Sequence, residues 1–96
     1  MHARLTYTNI QSDKVDEATS LYEGTIQALQ SQPGFAGALL LGDRGTGRSI
    51  SITLWESAEA EQASTQSGFY REQVARFAAL FTAEPEMDSL EVLLQG

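Results

Sequence analysis

The spacing of apolar residues along this chain switches between two and about 3.6, and the order of the switches limits the folds open to it. From Met1 to Asn9, the residues Ala3, Leu5 and Tyr7 alternate with His2, Arg4, Thr6 and Thr8, a period of two that predicts a first strand. Val15, Ala18, Tyr22, Ile26 and Leu29 then recur at helical spacing. Ser12 or Asp13 is placed to cap this first helix, Asp16 and Glu17 suit the positive end of its dipole, and Pro33-Gly34 stops it near Ser31. Phe35 to Leu41 is an apolar run of strand length, and Arg48 to Glu56 alternates again. The glycine-rich link between them predicts an antiparallel hairpin. Ser57 is a suitable N-cap for a second helix that Gly68 breaks or kinks, with Tyr70, Val74, Phe77, Ala78 and Phe81 as its apolar stripe. Pro85 ends that segment, and Met87 to Gln95 reads as a fourth strand.

The order is β-α-β-β-α-β within one domain spanning residues 1–96. With right-handed crossovers it generates an α+β, ferredoxin-like, four-stranded antiparallel sheet with two helices on one face. Two helices cover one face only. The second and fourth strands carry apolar residues on both faces: Leu39 and Leu41 against Ala38 and Leu40, and Leu90, Val92 and Leu94 against Met87 and Leu93. The uncovered apolar side chains require a partner, and a second copy of the sheet is the simplest one, so a homodimer is expected.

Composition removes several function classes. Thirteen acidic residues against six scattered basic ones give a net charge of −7, which disfavours nucleic acid and anionic membrane surfaces as partners. The chain contains no cysteine, so a disulfide framework, a thiol nucleophile and a thiolate metal site are all excluded. No signal-peptide pattern or membrane-length apolar run is visible, and a cytoplasmic protein is the default expectation. Gly42-x-x-x-x-Gly47-Arg48-Ser49 has the spacing of a phosphate-binding loop, but the residues after it alternate as a strand. That loop chemistry needs a helix at this point, so a hairpin turn is expected instead.

The segments QPGFAGALLL, GDRGTGRSISITLWES, AEAEQAS and LEVL, following an alternating first strand and an acidic first helix, resemble the antibiotic-biosynthesis-monooxygenase superfamily over nearly the whole chain. Pro33-Gly34-Phe35 and Trp55-Glu56-Ser57 carry most of the likeness. The resemblance implies a dimeric α/β barrel. It also implies an activity among those of the superfamily, which includes cofactor-independent oxygenases of polyketide aromatics, haem-degrading oxygenases and domains without known activity. The haem-degrading branch carries an asparagine on the first strand, a tryptophan at the end of the third, and an iron-ligating histidine on the second helix. Asn9 and Trp55 stand for the first two, but Ser57 to Phe81 contains no histidine and His2 is the only one in the chain. The expectation is therefore that no cofactor and no metal is used.

Within that frame Asn9, Trp55 and Tyr70 are the candidate catalytic residues, and Tyr7, Tyr22, Thr53 and Phe77 the candidate substrate-binding ones. Asn9 is able to hydrogen-bond a substrate phenolate or carbonyl, and a tyrosine to donate to a developing oxyanion. Trp55 shares a strand face with Ser51 and Thr53, either as the wall of a pocket or as packing beneath the second helix. Asn9 also suits a turn that ends the first strand, and Tyr22 and Tyr70 also suit helical stripes, the simpler reading of each taken alone. Glu91 either acts as a base or pairs with Arg4 on the neighbouring strand. Two functions remain open: cofactor-independent oxidation of a small aromatic or acidic organic molecule between sheet and helices, and a non-catalytic dimeric module for small-molecule binding or stress response.

Overall fold

The computed structural model describes residues 1–96. The first strand, β1 (His2–Asn9), is followed by one 3-10 turn at Ser12–Lys14 and by helix α1 (Val15–Leu29). Strands β2 (Phe35–Gly42) and β3 (Arg48–Trp55) form the hairpin. Helices α2 (Ala58–Gln66) and α3 (Phe69–Ala75), a 3-10 turn at Ala78–Leu80, and strand β4 (Glu86–Glu91) complete the chain. The strands lie in the order β2-β3-β1-β4, with every neighbouring pair antiparallel, which is the ferredoxin-like sheet. No helix is long and apolar enough to cross a membrane.

Several local expectations are met and others corrected. Ser57 caps α2, its hydroxyl accepting the Ala60 N–H at 3.1 Å. Gly68 breaks the second helical segment into two helices, the first of the two outcomes expected of it, its φ of +88° being a left-handed value that favours glycine. The Gly42–Ser49 segment is a hairpin turn, in which Asp43 accepts from Gly45 and Thr46 and donates its N–H to the Arg48 carbonyl. Ser12 and Asp13 do not cap α1. They form the preceding 3-10 turn, and Lys14 occupies the cap position without a side-chain bond. The fourth strand is shorter than expected: its partner β1 ends the pairing at His2 opposite Glu91, and one further bond joins the Val92 N–H to the Met1 carbonyl. Leu93 and Leu94 are consequently exposed rather than paired.

The register decides which face of the sheet the helices cover. Residues directly opposite each other in an antiparallel pair share a face. Arg4, Thr6 and Thr8 lie opposite Thr53, Ser51 and Ser49, and this polar row is the one beneath the helices. Leu5 and Tyr7 lie opposite Ile52 and Ile50, which in turn face Leu39 and Leu41 across β2. This apolar row is on the uncovered side, where Leu39, Leu41 and Leu90 are 43%, 46% and 54% exposed. The main apolar cluster under the helices is formed by Ile10, Ala18, Tyr22, Phe77 and Leu80, with the fully buried Trp55 and Leu29 outside it. Much of the remaining covered face is floored by hydroxyls.

Candidate functional site

A polar floor beneath amphipathic helices leaves space, because threonine and serine side chains do not fill the volume that leucines would. A cavity of about 70 Å³ lies there. Its floor is Arg4, Thr6 and Thr8 from β1, Ser51 and Thr53 from β3, and Leu40 from β2. One wall is α1, through Ala18, Tyr22, Thr25 and Leu29. The opposite wall is α3 and the segment after it, through Phe69, Tyr70, Gln73, Val74, Phe77 and Phe81.

Hydrogen bonds tie each wall to the floor. The Tyr22 hydroxyl is 2.7 Å from Ser51 Oγ, and the Tyr70 hydroxyl is 3.0 Å from Thr6 Oγ1. In both pairs either oxygen can donate, so each tyrosine is able to accept from the sheet and turn its own proton towards a guest. Thr25 donates to Gln73 Oε1 at 3.0 Å and joins the two walls. Burial raises the Tyr22 pKa above its ordinary value, while the Ser51 hydrogen bond and the Arg4 charge pull it down. Tyr22 therefore stays protonated at neutral pH and serves as a donor.

Arg4 is 4% exposed, and it lies between aromatic rings, its guanidinium carbon 4.5 Å from the Tyr70 centroid and 5.2 Å from that of Trp55. Its Nη1 donates to Thr65 Oγ1 at 3.0 Å and, more weakly, to Ser64 Oγ at 3.4 Å. The buried carboxylate of Glu61 accepts from Thr65 at 3.2 Å and from the Ser89 hydroxyl of β4. Arg4 and Glu61 thus interact through one intervening hydroxyl. Burial lowers the Arg4 pKa and the nearby Glu61 charge opposes that, and a guanidinium remains cationic at neutral pH.

Of the seven residues singled out from sequence, Tyr70, Tyr22, Thr53 and Phe77 line this cavity. Trp55 is beside it but not in its lining: the indole is fully buried, donates to Thr53 Oγ1 at 2.9 Å and meets Phe35 edge to face. The packing alternative describes its placement. Asn9 and Tyr7 do not converge on the cavity. Both share the face of Leu5, the side away from the helices, and Asn9 is exposed, with its backbone carbonyl accepting from Thr82. Glu91 does not pair with Arg4; it is exposed and opposite His2, while Ser89 is opposite Arg4. The lining residues that sequence reading missed include Arg4, Thr6, Thr8, Thr25 and Gln73. The signal for the first three was available: a polar row alternating with an apolar one, the same pattern that singled out Ser51 and Thr53.

A family model described as antibiotic biosynthesis monooxygenase matches residues 1–79. An uncharacterised protein of Mycobacterium tuberculosis is 35% identical over 97 residues, a match covering 96% of this chain and 41% of that protein. The chain thus spans about two fifths of the length of the curated relatives it matches. Among solved structures, SnoaB, a cofactor-independent oxygenase from Streptomyces nogalater, aligns with a TM-score of 0.76 at 18% identity, covering 98% of this chain and 94% of that one. The haem degrader MhuD from Mycobacterium tuberculosis, with two haems bound in its active site, aligns with a TM-score of 0.76 at 24% identity, covering 100% and 99%. Both structural likenesses are likenesses of fold.

Proposed function

Because the chain belongs to the antibiotic biosynthesis monooxygenase family, we propose that it is a cofactor-independent, monooxygenase-like protein acting on a small aromatic or acidic organic molecule in the cavity between sheet and helices. The observation that carries this reading is the pair of tyrosine hydroxyls, Tyr22 and Tyr70, each held by a sheet hydroxyl at the edge of an apolar-walled space. In such chemistry the substrate supplies the electrons once it is deprotonated. The protein contributes a shaped cavity, donors aimed at the developing oxyanion, and exclusion of bulk water. Thr6 and Ser51 orient the donors, and Phe69, Phe77 and Phe81 supply the apolar cover. Ring-sized guests larger than the cavity enter by displacement of α3, a helix of seven residues with Gly68 at its start.

Haem does not fit these residues. The lining contains no histidine, cysteine or methionine, and both tyrosine hydroxyls are engaged with the sheet. The space is also far below the roughly 300–1,000 Å³ of a pocket for a drug-sized ligand.

Oxygen uptake with a panel of phenols and hydroquinones tests the proposal, with wild type compared with Tyr70→Phe and Tyr22→Phe. Substrate-dependent uptake that falls about a hundredfold in Tyr70→Phe supports it. Equal rates in all three proteins remove the site assignment. A second reading, a non-catalytic binding module, is favoured by one observation: no carboxylate or imidazole lines the cavity to take a substrate proton. Tight binding of the same compounds without oxygen uptake identifies that case.

The homodimer belongs to the same proposal. The uncovered face presents Leu39, Leu41 and Leu90 beside the half-buried Leu5, Ile50, Ile52 and Leu54, a contiguous apolar surface that two copies bury against each other.

A further inference from the structure

Arg4 is the only charged residue in the cavity lining, and it is a cation in a chain of net charge −7. A charge this deeply buried is costly unless something compensates it. Glu61 supplies part of that compensation, but at a remove, with the Thr65 hydroxyl between them and no direct ion pair. The guanidinium is also fixed in orientation. Tyr70 and Trp55 lie against it, and Nη1 is committed to Thr65 and Ser64. No fully enclosed side-chain nitrogen or oxygen lacks a partner, and Nε and Nη2 of Arg4 have no protein acceptor, so this edge of the guanidinium keeps accessible surface in a residue that lines the cavity.

A planar fork with its rings fixed, one edge tied down and the other edge open is a receptor for an oxyanion. The remaining surroundings define the rest of the guest: the aromatic and aliphatic side chains of Phe69, Val74 and Phe77 suit a ring rather than a hydrated inorganic ion. We propose that the cavity is an aromatic-acid site in which Nε and Nη2 of Arg4 receive the carboxylate or ionised hydroxyl of a small ring compound. This inference rests on reading the cavity as the ligand site and names the class of ligand it takes. It also addresses the absence of a base in the lining. A guest already ionised in water arrives without a proton to remove, and one made more acidic by Arg4 releases its proton to solvent on binding.

Calorimetric titration of the whole chain at neutral pH with benzoate and with benzamide is the test, since the two probes share a shape and differ in charge. Benzoate is expected to bind at least about tenfold more tightly than benzamide, as hydrogen bonds to a charged group imply. Arg4→Met is expected to abolish that preference, bringing the two probes to similar affinity, while Arg4→Lys, which keeps charge but loses the fork, retains part of it. Should Arg4→Met fail to fold, the comparison of the two probes on the wild type decides alone. Equal affinity for both probes overturns the anion site while leaving a neutral-ligand cavity intact. Binding of neither probe at millimolar concentration also overturns it. A benzoate preference with no oxygen uptake from any phenol or hydroquinone supports the Arg4 assignment and removes the oxygenase reading.

Discussion

Tyr22 of α1 and Ser51 of β3 share a hydrogen bond of 2.7 Å that spans the gap between helix and sheet. Its loss in Tyr22→Phe is expected to cost about 1 kcal/mol at neutral pH. The same residue gives stability a pH dependence. Burial raises its folded pKa above the ordinary value of 10.0, so the folded state holds the proton more tightly than the unfolded chain. Stability from this source is complete below about pH 10 and is lost as pH rises through the folded pKa. Urea unfolding from neutral pH to about pH 11 should show a shallower decline in Tyr22→Phe than in the wild type. Tyr7, whose pKa is also raised, mainly by desolvation and further by Asp88, contributes to both curves and drops out of the difference.

Trp55→Phe is expected to act on stability and to leave substrate affinity alone. The indole is fully buried and gives its N–H to Thr53, but it does not line the cavity. Phenylalanine keeps a ring against Arg4 while leaving a void and one unpaired hydroxyl. A loss of about 1–3 kcal/mol in chemical denaturation is expected. A large rise in KM with unchanged unfolding would refute this placement.

Two glycines with the same backbone hand should respond differently to alanine. Gly47 has φ +81°, and a Cβ there would collide with the backbone carbonyl of Ile10. Gly68 has φ +88° with nothing within 4 Å. Gly68→Ala should cost about 1 kcal/mol, the left-handed penalty alone. Gly47→Ala should cost about 3 kcal/mol or more, because the hairpin turn and the Ile10 backbone must separate. Thermal unfolding of the two variants side by side checks the ranking.

The proposed dimer has its own test. Leu39→Glu and Leu41→Glu put charges on the uncovered face without touching the cavity, and sedimentation at micromolar concentration should show a wild-type dimer and variant monomers. A wild-type monomer under those conditions would refute the assignment of that face.

Much of the fold was legible because period-two and period-3.6 patterns alternate cleanly, and because Ser57 and Gly68 are local signals that need no tertiary context. The site was less legible for a reason of parity. Asn9 shares its strand face with Leu5 and Tyr7, and Trp55 shares its own with Ser51 and Thr53, so each strand could be read alone. Whether the two faces coincide depends on the β1–β3 register, which emerges only when the apolar rows of the two strands are matched to each other rather than read strand by strand. The register sets Arg4 opposite Thr53 and thereby puts Asn9 and Trp55 on opposite sides of the sheet. The end of the fourth strand failed similarly: Val92 and Leu94 keep the alternation, but a strand also needs a neighbour to bond to, and β1 stops providing one.

The hydroxyl-floored space beneath the helices has a thermodynamic signature of its own. A void walled by leucines stays dry. Thr6, Thr8, Ser51 and Thr53 each already make one hydrogen bond within the protein, but they keep spare oxygen lone pairs on the floor of this largely apolar space that can hold ordered solvent. A guest therefore exchanges places with water rather than filling a vacuum, and its affinity depends on how faithfully its polar atoms take over the bonds that solvent made. Association is then expected to be driven by enthalpy, with a smaller negative heat-capacity change than an oily pocket of equal size would give.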